Sequence, residues 1–98
     1  MNYLKETFGN VHQRGYLYTE EAIKHPNPYT MTEVYQEIAM KYATTPSRVE
    51  RAMRHYKETI IKQVGMKKLF EMLEYPYKNK LTNQEFIILI RSKIKNDK

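Results

Sequence analysis

The sequence predicts an all-α domain, a compact bundle of about six helices that contains a helix-turn-helix. Three observations lead there. Apolar residues recur three and four apart in several stretches, and no stretch has a good strand pattern. Breakers are few, with three glycines and four prolines in 98 residues. Between Thr32 and Lys62, TEVYQEIAMKYATTPSRVERAMRHYKETIIK reads as a short helix, a tight turn and a longer basic helix.

The bulk properties narrow the function. A chain of 98 residues makes one small domain, 1–98, with a modest core. There is no Cys, hence no disulfide framework, thiolate metal site or thiol nucleophile, which fits a reducing compartment. Lys and Arg number 17 against 11 acidic residues, a net +6 that favours polyanions, nucleic acid first. An acidic partner protein or an anionic membrane would also suit that charge. No apolar run approaches the roughly 20 residues that span a bilayer. The start, MNYLKETFGN, lacks a signal-peptide layout. A cytoplasmic, nucleoid-associated protein with no membrane partner is expected.

Taken in order, Asn2 to Phe8 form a weak first helix, with Tyr3, Leu4 and Phe8 on one face and Gly9 as its stop. A second helix is expected over about His12 to Lys24, with Leu17, Tyr18 and Ala22 turned inward. Gly15 lies inside it at a cost of about 1 kcal/mol against Ala. Either a close helix–helix contact explains that glycine or the helix begins after it. His25-Pro26-Asn27-Pro28 is a loop, because two prolines cannot continue a helix. Thr30 with Glu33 offers a capping box for the third helix.

In the helix-turn-helix, Ile38 and Tyr42 supply the apolar face of the first helix, and Ala39 is small enough to let the second approach. Ala43 lies at the turn, where such motifs often use Gly. Thr45 is the expected N-cap of the long helix, with Pro46 as its first residue. Val49, Ala52, Met53, Tyr56 and Ile60 make one apolar stripe, while Ser47, Arg48, Arg51, Arg54, His55, Glu58 and Lys62 fall on the other side. Val64-Gly65 ends this helix. Met66 to Leu73 make a short amphipathic helix, and Glu74 to Lys80 a polar loop punctuated by tyrosines. Thr82 with Glu85 is a second capping box, opening a last helix whose Phe86, Ile87, Leu89, Ile90 and Ile94 face the core. Its basic tail, from Arg91 on, is expected to fray.

Three blocks of these residues resemble the C-terminal DNA-binding effector domain of stage 0 sporulation protein A, a response regulator of endospore-forming bacteria. They are Arg14-Gly15-Tyr16-Leu17-Tyr18 with Glu21-Ala22-Ile23; Tyr35, Ile38, Ala39, Lys41 and Thr44-Thr45 running into Ser47 through His55; and Thr82-Asn83 with Glu85-Phe86-Ile87. They span nearly the whole chain, and the middle block is long and specific. The resemblance implies a six-helix domain that binds short boxes of double-stranded DNA in the major groove, as a homodimer or as tandem copies. It places base contacts at Arg48, Glu50 and Arg51, with Ser47, Arg54 and His55 near enough for phosphates or bases. The sequence departs from the family in lacking the receiver domain and linker, so control by aspartyl phosphorylation is not carried over, and either a fragment or a natural stand-alone effector domain is expected. The segments between Ile23 and Tyr35 and between the long helix and Thr82 are shorter than the family's, so the surfaces that join tandem copies are expected to differ.

The residues have their own chemistry beside the resemblance. Arg48 and Arg51, one turn apart, can each reach guanine O6 and N7 with two hydrogen bonds. Glu50 can accept from cytosine N4, or it can orient Arg51 or Arg54. Arg54 suits a phosphate clamp, and His55 either a phosphate donor or a plain surface residue. Thr44, Thr45 and Ser47 at the helix start suit a phosphate or simple capping, and both can hold together. Lys41 and Lys62 are expected flanking phosphate contacts. Lys93, Lys95 and Lys98 could add more, with a solvated tail as the alternative. His12, His25 and His55 share no metal-ligand spacing, Glu20 and Glu21 diverge on a helix, and no nucleophile or phosphate-cradling motif occurs. No enzyme, metal, cofactor or small-molecule substrate is expected. The nine tyrosines are best read as packing residues with wet hydroxyls. The rival readings are an interaction module that modulates a full-length homologue, and a non-specific, charge-driven nucleic-acid binder.

Overall fold

The computed structural model describes residues 3–28 and 30–96. Six helices follow in order, α1 Tyr3–Phe8, α2 Arg14–Lys24, α3 Met31–Lys41, α4 Pro46–Val64, α5 Met66–Met72 and α6 Asn83–Asn96, with no strand among the described residues. The axis of the fold is α4, against which α2, α3, α5 and α6 all pack. Its stripe is inside as expected. Val49, Met53, Tyr56 and Ile60 are buried and Ala52 is half-buried, while Arg48, Arg51, Arg54 and His55 are exposed.

Burial divides into two clusters along α4. One gathers Val34, Ile38 and Ala39 of α3 with Val49 and Met53, closed by Tyr18, Ala22 and Ile87. The other gathers Phe8, Tyr16, Tyr56, Ile60, Phe70, Phe86 and Ile90, with Leu4, Leu69, Leu73 and Leu81 between them. The first helix ends at Gly9 (φ 69°), and α4 ends at Gly65 (φ 90°), both backbone conformations that favour glycine.

Gly15 explains how α2 meets α4. A Cβ there would lie 2.1 Å from the Ala52 carbonyl oxygen and 2.6 Å from the Tyr56 Cβ, so only hydrogen permits the approach. The contact also sets the rotation of α2. Gly15, Tyr18, Thr19 and Ala22 form its buried stripe. Leu17, expected inward, stands about 200° around the helix from Gly15 and is 45% exposed. Tyr16 and Thr19 take the buried places instead. The helix starts at Arg14 rather than His12, because a turn fills the preceding residues, with the Gln13 N–H bonded to the Asn10 carbonyl at 3.2 Å.

The two expected capping boxes come out differently. At α6 the box forms: the Thr82 N–H donates to Glu85 Oε1 at 3.0 Å and the Glu85 N–H to Thr82 Oγ1 at 3.1 Å. At α3 it does not. Thr30 precedes the helix without a side-chain cap, its backbone at φ −106° and ψ 78° rather than the extended conformation of a capping residue, and its hydroxyl accepts from Asn27 Nδ2 at 3.3 Å. The tail expected to fray from Arg91 is helical through Asn96. Arg91 reaches back to the carbonyls of Ile23 and His25, and Lys93 pairs with Glu74 at 3.0 Å. Asn2 of the first expected helix and Lys98 of the basic tail lie outside the described residues.

Candidate nucleic-acid interface

The turn before α4 fixes where that helix points. At the end of α3, the Thr44 N–H bonds to the Ala39 carbonyl at 2.8 Å and the Ala43 N–H to the Met40 carbonyl at 3.4 Å. This paired pattern needs a left-handed residue just past the helix, and Ala43 supplies it at φ 53°. Thr45 then turns extended, and its Oγ1 accepts from the Arg48 N–H at 3.2 Å, with Pro46 as the first helical residue. Thr45 therefore caps the helix, as the sequence predicts. Its hydroxyl hydrogen is not used in that bond. Thr44 is half-buried, and Ser47 is exposed beside the helix start.

Several of the expected contact residues stand together. Ser47, Glu50, Arg51 and Arg54 line one shallow recess against Tyr35 of α3. Arg48 is exposed one turn before Arg51. Among the described residues, no side-chain hydrogen bond or ion pair engages Arg48 or Arg51. Glu50 is half-buried, and one of its carboxylate oxygens lies 3.7 Å from Arg54 Nε. The two side chains stand one turn apart on α4, the spacing at which opposite charges pair along a helix. His55 and Lys62 are exposed on a separate recess with Glu58 and Thr59. Lys41 is set apart by its partner. Its ammonium is 2.6 Å from Glu21 of α2, and the Tyr42 hydroxyl donates to the same carboxylate at 3.2 Å. The Lys41 bond holds the Glu21 carboxyl below its usual range and raises the Lys41 ammonium above its own.

Three residues behind this face were given no role by the sequence. Lys57 is buried on α4, its Nζ donating to the Leu81 carbonyl at 2.6 Å. Burial pushes its ammonium down from the usual lysine value. Asn83 opens α6 and donates from Nδ2 to the Tyr35 hydroxyl at 3.2 Å and to the Glu50 carbonyl at 3.3 Å. Tyr35 in turn is raised above the usual phenol range by burial. A lysine at the edge of an apolar stripe reads as a side chain that snorkels to water. Nothing local signals a carbonyl partner in another element, so the pairings of Lys57 and Asn83 had no sequence signature.

Among the described residues, no group of three or more His, Cys, Asp or Glu could hold a metal ion. No described helix is long and apolar enough to cross a membrane. No solved structure matches the chain. The family model for the C-terminal part of sporulation initiation factor Spo0A matches residues 1–94, and the six-helix chain therefore belongs to this family of helical DNA-binding domains, which are sporulation regulators rather than enzymes.

Proposed function

We propose that the chain is a single-domain reader of specific sequences in double-stranded DNA, with α4 in the major groove, acting as a transcription regulator of the sporulation type. The observation that carries this reading is the pair Arg48 and Arg51. They are exposed, one turn apart at the start of a helix whose other face is buried, and without side-chain partners among the described residues. Two guanidinium groups held there are ready for bidentate contacts to guanine. Glu50 completes the base-reading set, accepting from a cytosine amine while keeping Arg54 in place. Thr44, Thr45 and Ser47 at the helix start, with Arg54, His55 and Lys62 along its flanks, serve the phosphates. Lys41 is a weaker contributor, since Glu21 already neutralises it. The protein works at the nucleoid, in the cytoplasm, as a homodimer or as tandem copies on adjacent boxes.

The test is a gel-shift series on a duplex the protein enriches from a random pool, against a scrambled duplex, from low to moderate salt. A specific reader keeps a large affinity ratio at each salt concentration. Arg51→Ala should lower that ratio by about 5- to 150-fold, the range of a lost bidentate contact at about 1–3 kcal/mol. The net charge of +6 supports one rival, a charge-driven binder. That protein would lose affinity equally on both duplexes with a steep salt slope. An interaction module would bind neither duplex and instead co-purify with a homologue.

A further inference from the structure

We infer that Asn83, the first residue of α6, is a positioning residue for the DNA-reading edge, holding the second turn of α4 against Tyr35 so that Glu50 and Arg54 face the groove. This rests on the reading of α4 as the helix that enters DNA. Asn83 lies in an open cleft of about 380 Å³ whose walls include Tyr35, Glu50, Arg54, Lys57 and Lys80. Its side chain bridges three helices. From α6 it donates to Tyr35 Oη on α3 and to the Glu50 carbonyl on α4. The two residues before it are fixed independently. Leu81 is held by the Lys57 ammonium, and Thr82 by the capping box with Glu85. The amide is therefore delivered to α4 from a fixed point.

Folding alone gives little reason for an asparagine there. The residue is 8% exposed, and its Oδ1 is buried with no hydrogen-bond partner among the described residues. A buried acceptor left unsatisfied opposes folding, and an apolar side chain of the same shape can be neutral or better. The Glu50 carbonyl lies inside α4 and has the helix's own donor four residues on, so it does not need a second. What the two donated bonds do accomplish is local. One ends at the hydroxyl of Tyr35 and the other at the backbone of Glu50, the residue whose carboxylate pairs with Arg54 at 3.7 Å, with Ser47 and Arg51 in the same recess. Misplacing such a group by a fraction of an ångström is enough to weaken a bidentate or in-plane base contact.

Asn83→Leu removes both donors and the orphaned acceptor while keeping the volume. Tyr35→Phe removes one bond and leaves the rest of the packing. Each is measured for its unfolding midpoint, its affinity for scrambled duplex across salt, and its affinity for the enriched duplex. The expected result is an unchanged midpoint, an unchanged scrambled affinity and salt slope, and a specificity ratio lower by about tenfold for Asn83→Leu and about threefold for Tyr35→Phe. Combined with Glu50→Gln, Asn83→Leu should add little further loss, because both act on one contact. A merely structural residue would lower the midpoint and weaken both duplexes alike, and that result overturns the inference. So does an additive loss in the double variant. If Asn83→Leu does not fold, Tyr35→Phe decides by the same readings. Arg51→Ala separates the two levels. If it collapses the ratio while Asn83→Leu and Tyr35→Phe leave it intact, this inference alone fails. A wild-type protein that enriches no sequence overturns both.

Discussion

The two halves of the core are built from different materials. Around the helix-turn-helix the buried residues are mainly small or aliphatic: Ala22, Val34, Ile38, Ala39, Val49, Met53 and Ile87, with Tyr18 as the exception. Below it the core mixes five rings, Phe8, Tyr16, Tyr56, Phe70 and Phe86, with leucine and isoleucine. Small and branched side chains let helices approach and fix their crossing, because little side-chain freedom separates them. Rings fill volume, and Tyr16 meets Tyr56 edge to face with centroids 6.1 Å apart. The upper half is thus shaped to set an angle, and the lower half to supply stability. Gly15 sits where the two meet, against Ala52 on one side and Tyr56 on the other.

That contrast can be broken experimentally, starting at the junction. Gly15→Ala would place a Cβ inside contact distance of a backbone oxygen that cannot move away. We expect a loss of about 3 kcal/mol or more in urea unfolding, at the upper end of overpacking effects. Phe70→Ala and Met53→Ala compare the halves directly. The first should destabilise by about 3–5 kcal/mol and the second by about 2–5 kcal/mol. Only Met53→Ala should also reduce the affinity ratio between enriched and scrambled duplex, measured well below the unfolding transition. Equal effects on that ratio would dissolve the division of labour.

Arg51→Ala lies beyond both clusters. Its unfolding free energy should stay within about 0.5 kcal/mol of wild type, while DNA discrimination falls by about 1–3 kcal/mol. Ala43→Gly sharpens the same contrast from the turn. Ala43 is left-handed at φ 53°, a conformation an L residue adopts at a cost that glycine avoids. A gain of up to about 1 kcal/mol in thermal or urea unfolding is expected, with the DNA ratio preserved. The smallest effect is on pH dependence. Bonds from Lys78 and from the Thr82 backbone hold the Glu85 carboxyl below its ordinary value of 4.5. Its folded value is the lower one, so its contribution is present above 4.5 and is lost as pH falls through the depressed value. Glu85→Gln should flatten that acid-side slope in midpoint-versus-pH measurements.

How much of this was legible in the sequence depended on reach. Thr45 with Pro46, Thr82 with Glu85, and the stripe from Val49 to Ile60 are decided within one or two turns of chain, and they stand where spacing put them. The outward face of α4 follows from the same periodicity. Leu17 was misplaced because the rotation of α2 is set by a contact with Ala52 and Tyr56, far along the chain. The Thr30 box does not form because the loop before it leaves Thr30 out of the extended capping conformation. Lys57 bonds to a carbonyl 24 residues away and Asn83 to one 33 residues away. Neither pairing has a local pattern, so the support behind the reading edge emerged only with the tertiary structure.

The length of α4 has a mechanical meaning. Nineteen residues at 1.5 Å each make a rod of about 28 Å, in a molecule whose longest extent is 35 Å. No proline or glycine interrupts it after Pro46 until Gly65, so the first available joint lies at the far end, where α5 begins. A tilt imposed at its N-terminal end is therefore carried along the rod, and the first place where the backbone can take it up is the joint before α5.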